Sequence, residues 1–169
     1  GNAIWLDPEK TTPYEFYQFW INQQDSDVTK FLKYFTFLSK EEIEALEKEI
    51  EENPHLRVAQ RRLAEEITRF VHSQEALDEA QQITEALFTG EVGQLSAKQI
   101  EEGFKNMPQS TVARQSENLA IWLVDTGIVD SRRQSREFIN NNAISINGEK
   151  INDVDYEIGQ DDAIDGKYI

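Results

Sequence analysis

Three arginines, Arg132, Arg133 and Arg136, fall within five residues at the start of the stretch SRRQSREFINNNAISINGEKIND, residues 131–153. A guanidinium is planar, permanently charged and presents paired donors that match phosphate oxygens bidentately, so this spacing suits anion binding. A second group, Arg57, Arg61, Arg62 and Arg69, lies in residues 54–72. Residues 39–52 hold seven glutamates against two lysines. Paired carboxylates do acid–base work only where a pocket separates their pKa values, so this run reads as a solvated helix face. The two histidines, His55 and His72, lack metal-ligand spacing, and with no cysteine there is neither a thiolate nor a disulfide. The two glycines of GEVG, residues 90–93, have neither the spacing nor the lysine of a phosphate loop.

Arginine clusters are unexpected in a chain whose formal net charge is -15. The charge is segregated. Residues 131–150 carry four positive and two negative charges, residues 54–72 the same, while 39–52 and 151–169 each net -5. Exposed charges more than about 8–10 Å apart are largely screened at physiological salt, so cationic patches can meet phosphates while acidic faces point elsewhere.

The elements that must carry these residues are legible from punctuation and period. A length of 169 residues with 38% hydrophobic content allows one domain or two small ones. No apolar run approaches the ~18 residues of a membrane span, and the amino terminus lacks the build of a signal peptide, so no membrane association and a cytoplasmic location are expected. A chain opening on Gly1 with its one methionine at Met107 reads as a piece of a longer product. GNAIWL reads as a strand-like piece. Pro13 after Thr12 predicts a capped helix from about Tyr14 to Asn22, whose aromatics lie on several faces and so read as core. Ser39 with Glu42 forms a capping box that opens a helix over 39–52. Leu56, Ala59, Leu63, Ile67, Phe70 and Val71 fall within an arc of about 120° on a helical wheel. Opposite them stand Arg57, Arg61, Arg62, Arg69 and His72, a mostly basic face. A further helix runs from about Gln74 to Phe88.

Beyond it, FKNMPQSTVARQS loses periodicity and reads as a linker around Pro108. SENLAIWLVDTG reads as a short helix capped by Ser116 and stopped by Gly127. DSRRQSREFINN reads as the next helix, capped by Ser131 or Asp130, with its arginines turned away from Ser135, Phe138 and Ile139. AISINGEKI alternates and turns at Asn147-Gly148, a hairpin signal.

Two short helices feeding a small sheet, with LVDTGIVDSRRQSREFINNNAISINGEKI across them, resemble the S-four-like RNA-binding domain. One departure is Asn142, where that family usually has glycine; asparagine tolerates left-handed backbone. AIWLDPEKTTPYEFYQFWIN, DVTKFLKYFTFLS, RVAQRRLAEEITRFVH and EALFTGEVGQLS are similar to the part of bacterial tyrosyl-tRNA synthetases that follows the catalytic signature loop. Ser73 stands where glycine is common there. The resemblance implies a mainly α chain, a helical anticodon-binding domain followed by a small α+β S-four-like domain. It implies residues 1–22 as a connecting segment, 23–104 as the helical domain, 105–115 as a linker and 116–169 as the RNA-binding domain.

The same resemblance implies tyrosine tRNA as partner, met at its anticodon arm and long variable arm, and a catalytic domain of the same chain in a homodimeric parent that uses ATP and tyrosine. No cofactor and no ligase activity are expected of these residues alone. Arg132, Arg133 and Arg136 are assigned to the RNA backbone, with Asn140, Asn142, Asn147 and Lys150 as further candidates. Arg57, Arg61, Arg62 and Arg69 either meet RNA, pair with nearby acids or dock the catalytic domain. In relatives the chain continues past GKYI into a basic strand, so residues 163–169 are expected to form an edge strand. One other reading stays open, an acidic helical protein-interaction module; an S-four-like domain of an RNA-modifying enzyme is disfavoured because the first hundred residues resemble a synthetase.

Overall fold

A computed structural model describes residues 3–113 and 115–169. Among the described residues, eight α-helices and two small antiparallel sheets make the expected mainly α chain, with a helical part followed by an α+β part. Two compact units divide it, residues 1–84 and 85–169. None of the helices is long and apolar enough to cross a membrane among the described residues.

In the first unit α1 (Pro13–Ile21), α2 (Asp25–Phe35) and α3 (Lys40–Glu52) surround α4 (Val58–Val71), and α5 (Gln74–Thr89) follows, with its residues from 85 onward counted in the second unit. The helix starts are those the capping residues specify. Thr12 and Ser39 each close a capping box, with Glu15 and Glu42 respectively. Each such cap is worth about 0.5–2 kcal/mol. Ser73 caps α5 by accepting from the Ala76 N–H at 3.0 Å. Phe16, Tyr17 and Trp20 of α1 are buried, and Tyr14 and Phe19 pack partly against the same core.

The buried stripe of α4 differs from the predicted one. Ala59, Leu63 and Ile67 are inside as expected, but their companions are Gln60, Ala64 and Thr68. Leu56 sits in a preceding 3-10 turn and is exposed, and Phe70 is exposed on the last turn. Three helices pack around α4, so the stripe follows their positions rather than the highest hydrophobicity on the wheel. Residues 3–6 do not form the expected strand: the chain is irregular there and turns at residues 8–10, and residues 1 and 2 lie outside the described residues.

The second unit holds α6 (Ala97–Gly103), α7 (Leu119–Asp125) and α8 (Arg132–Asn140), with β1 (Glu117–Asn118) paired to β4 (Glu157–Ile158) and β2 (Ile144–Ile146) paired to β3 (Glu149–Ile151). Its core is Leu119, Ala120, Leu123, Val129, Ile139, Ile146 and Ile158. The cap of α7 is Asn118, which accepts from the Ile121 N–H, and not Ser116, because pairing of β1 with β4 holds the chain extended through residue 118. Asn147 and Gly148 adopt left-handed φ values of 51° and 88°, the twist that a two-residue hairpin turn needs. Asn142 is left-handed too, with φ 55°.

The sequence reading ended the helical domain at residue 104, whereas the packing groups residues 85–104 with the α+β part. Three ties account for this. The Ala97 N–H at the start of α6 donates to Asp165 at 2.7 Å, and Glu101 takes Lys167 and the Tyr168 hydroxyl. The hairpin tip also presses on the turn after α5, where a Cβ at Gly148 would lie 2.1 Å from the Gly90 carbonyl oxygen. Residues 163–169 are not an extended edge strand. They turn back through Asp165 and Gly166, both left-handed, so that Ile164 pairs with Tyr168.

Gly148 therefore answers two demands, a left-handed φ and a missing side chain, while Gly127 at φ 74° has open space around its Cβ position. Gly127→Ala is expected to cost about 1–2 kcal/mol for the backbone alone. Gly148→Ala is expected to cost about 1–3 kcal/mol more because of the overlap. Urea midpoints of the two variants measure the difference, and equal midpoints would contradict the close approach.

Candidate nucleic-acid interface

The first two turns of α8 present the arginine cluster. Ser131 caps the helix by accepting from the Gln134 N–H at 3.2 Å, and Gln134 returns the bond by accepting from the Asp130 N–H at 3.0 Å. With the start fixed there, Ser135 and Ile139 turn inward and are fully buried, and Arg132, Arg133 and Arg136 turn outward and are exposed. No carboxylate pairs with any of the three among the described residues. Arg132 and Arg133 sit at the positive end of the α8 dipole, a position that disfavours cations and raises the local potential, and Arg136 follows on the next turn. An anion docking there would relieve the repulsion.

The other candidates divide by what their side chains already do. Asn140 ends α8 exposed, and Asn142 supplies the left-handed residue that turns the chain into β2. Asn147 is half-buried. Its Nδ2 donates to the Asp162 carbonyl, which ties the hairpin to the 3-10 turn at residues 160–162. Asp162 is the hub of that turn, since its carboxylate also accepts from the Gly159 N–H and the Tyr156 hydroxyl. That hydrogen bond pushes the Tyr156 phenol up to about 12. Lys150 stands opposite Ser145 on β3 and is exposed, on the face away from Ile144, Ile146 and Ile151. Asp162 was not singled out by sequence reasoning. Its one signal is the Gly-x-x-Asp spacing ahead of residue 163, which does not identify its long-range partners.

The arginines of the first unit are mostly engaged. Arg57 is left-handed at φ 51° and precedes α4 instead of lying on its solvent face. Its guanidinium donates to the carbonyls of Ile21 at 2.7 Å and Gln23 at 2.9 Å. It thereby satisfies orphan carbonyls at the end of α1, whose own last turn has no basic residue. Arg62 lies 3.0 Å from Glu66 without hydrogen-bond alignment, and 3.7 Å from Glu42. Arg69 bonds Gln74 at 2.6 Å and Glu66 at 3.2 Å. Arg61 is exposed and lines a groove of about 410 Å³ between α3 and α4, together with Glu42, Glu49 and Glu65. His72 is half-buried with its ring edge-on to Phe16 at 4.9 Å, so it belongs to the packing and not to a basic face.

Residues 1–89 match the family model of the class I tRNA synthetases for W and Y. The chain belongs to that family. Within these synthetases, residues 99–169 match the tyrosine–tRNA ligase SYY-like C-terminal domain. The tyrosine–tRNA ligase of Limosilactobacillus reuteri is 60% identical over 169 residues, which cover 100% of this chain and 41% of that protein. The tyrosine–tRNA ligase of Ligilactobacillus salivarius is 57% identical, with the same coverage of 100% and 41%. The chain thus spans about 41% of the length of these relatives. A C-terminally truncated mitochondrial tyrosyl-tRNA synthetase of Aspergillus nidulans is 39% identical, with 52% of this chain and 26% of that chain covered at a TM-score of 0.49.

Two expectations arise from the engaged side chains. Arg57→Ala is expected to lower stability by about 1–2 kcal/mol, because it removes two hydrogen bonds from a charged donor at an exposed site. A urea midpoint equal to that of the parent chain would show that the α1 carbonyls do not need it. Burial also lowers the His72 pKa below its ordinary 6.5. The folded state thus favours neutral imidazole, so its contribution is present above pH 6.5 and is lost as the pH falls through the depressed value. NMR titration of the ring is expected to give a midpoint below 6.5, and a midpoint at or above it contradicts the packing against Phe16.

Proposed function

We propose that this chain is the tRNA-binding portion of a cytoplasmic tyrosine–tRNA ligase, in which the second unit binds tyrosine tRNA through the α8 arginines. The observation that carries this reading is the set of three exposed arginines without carboxylate partners among the described residues, two on the first turn of α8 and one at the start of its second, in a chain where acids outnumber bases 32 to 17. In such a chain, unpaired cations at the positive end of a helix dipole are costly unless an anionic partner completes them.

The ligand is a phosphate backbone of duplex RNA, read by shape and charge. Arg132, Arg133 and Arg136 hold phosphate oxygens, and Lys150, exposed on β3, adds a fourth cation. Asn140 contributes a polar contact from the end of α8. Asn142 and Asn147 act through the backbone turns that set α8 and the hairpin in place, and not through the RNA. Of the first-unit arginines, Arg61 is the one whose side chain is left for a partner, while Arg57, Arg62 and Arg69 hold the helices together. The whole protein, a homodimer, uses this part to hold the long variable arm and the anticodon arm of tyrosine tRNA. Its separate catalytic domain joins tyrosine to that tRNA at the expense of ATP.

Titration of the chain with tyrosine tRNA at several salt concentrations tests this. Arg132→Ala and Arg136→Ala are each expected to weaken binding. Each should also reduce the slope of log affinity against log salt by about 0.7–0.9, the release of one phosphate's counterions. A tRNA with a short variable arm is expected to bind more weakly than tyrosine tRNA. Unchanged slopes in both variants would remove these residues from the interface.

A further inference from the structure

The hairpin tip carries a reactive pair that the α8 site does not use. Asn147-Gly148 is the one Asn-Gly pair in the chain. An asparagine amide carbon is open to attack by the backbone nitrogen of the next residue, and glycine, having no side chain, hinders that approach least. The new N–Cγ bond closes a five-membered succinimide as the Cγ–Nδ2 bond breaks, and Nδ2 departs as ammonia with the Gly148 amide proton. Water then opens the ring at either carbonyl, leaving aspartate or isoaspartate. One water is consumed and one ammonia released, with no oxidant or reductant.

The fold restrains both reacting groups. Asn147 Nδ2, the leaving group, donates to the Asp162 carbonyl. The peptide that must turn for the attack is held on its other side. A Cβ at Gly93 would lie 3.5 Å from the Asn147 carbonyl oxygen, and one at Gly148 would lie 2.1 Å from the Gly90 carbonyl oxygen. Asp162 is itself fixed, since its carboxylate accepts from the Gly159 N–H and the Tyr156 hydroxyl. Ring closure therefore waits on a local opening in which the tip lifts from the turn at residues 90–94 and the amide leaves Asp162.

The surroundings that suit an amide reject a carboxylate. In place of the Nδ2 donor, an aspartate presents a second acceptor to the Asp162 carbonyl oxygen, and Asn147 Oδ1 is already buried without a hydrogen-bond partner. A charged oxygen held there is costly. Isoaspartate adds a backbone carbon to a two-residue turn and disturbs the pairing of Ile146 with Glu149 beside it.

We propose that Asn147 is a latent deamidation site, kept unreacted by the hydrogen bond of its amide to the Asp162 carbonyl. Its conversion unlatches the β2–β3 hairpin from the turn at residues 160–162 and lowers the RNA affinity of the second unit. The loss of affinity rests on the RNA-binding reading above, because Lys150 stands on that hairpin three residues after the new carboxylate. The chemistry and the unlatching do not rest on it.

The chain is incubated at mildly alkaline pH, native and in urea, and the tryptic peptide of residues 137–150 is followed by mass spectrometry and an isoaspartate assay. Asn140, Asn141 and Asn142 lie in the same peptide before residues that carry side chains, so they are internal controls. In urea Asn147 is expected to deamidate first. In the native chain its rate is expected to fall about tenfold or more, the effect of an opening that breaks one hydrogen bond and one packed contact. Tyr156→Phe removes one of the bonds that fix Asp162 and should recover about twofold to fivefold of that rate. Asn147→Asp stands for the product, and Asn147→Gly removes the amide without adding charge. Both are expected to lose amide-exchange protection over residues 144–151. Affinity for tyrosine tRNA should fall about twofold to tenfold in Asn147→Asp and less in Asn147→Gly.

Equal rates at Asn147 in the native and unfolded chain would overturn the protection, and no reaction there in urea would overturn the site. Full exchange protection of the hairpin in Asn147→Asp would overturn the unlatching. An unlatched variant that binds tyrosine tRNA as tightly as the parent would overturn the loss of affinity. If the parent chain binds no tRNA, the α8 reading fails and the loss of affinity with it, while the rates and the exchange protection still decide whether Asn147 is the latent site.

Discussion

The availability of cations in an acidic chain is the constraint on which the rest of this molecule turns. With 32 acidic and 17 basic residues, acids are plentiful enough to draw in several of the lysines and arginines once the chain is compact. Lys33, Lys40, Lys48, Arg62 and Arg69 in the first unit all find one. Other cations have no carboxylate partner among the described residues. On α8 this comes about through the capping pair of Ser131 and Gln134 together with the inward turn of Ser135 and Ile139, which aim three guanidinium groups at solvent.

The acids have structural duties as well. Asp162 gathers Tyr156, Gly159 and Asn147 into one turn, and Asp165 accepts from the first N–H of α6. A carboxylate at a helix amino terminus is favoured by the dipole, as an arginine there is not. Within one unit, then, a helix start stabilised by an acid and a helix start crowded with arginines coexist. The first is a fold device. The second has no carboxylate counterpart among the described residues.

Backbone geometry does the remaining positioning. The hairpin tip at Asn147 and Gly148 packs its glycine onto the carbonyl of Gly90, and the turn at 163–169 holds α6 through Asp165, Lys167 and Tyr168. These contacts make residues 85–104 part of the second unit although they continue a helical run in the sequence. Arg57 plays the matching part in the first unit, reaching from the start of α4 to the open carbonyls at the end of α1.

What the sequence determined by itself is local. Thr12, Ser39 and Ser131 are caps because a side-chain oxygen and an N–H two or three residues on are enough to define them, and Asn147-Gly148 is a hairpin turn because its φ values are set by residue type. The seven-residue α6 was missed, since so short a helix shows no period, although its Ser96 and Gln99 form the same capping box. Side-chain fate was not local. Arg57 and Arg132 are the same residue type in comparable basic runs, yet one is tied to two carbonyls more than thirty residues away and the other has no carboxylate partner among the described residues. Likewise Phe70 on the predicted core arc is exposed, while Gln60 on the flank of that arc is buried with its amide on Asp25. Periodicity ranks the faces of one helix by hydrophobicity, but only the packing of the neighbouring helices decides which of those faces is covered and which cations are left without a partner.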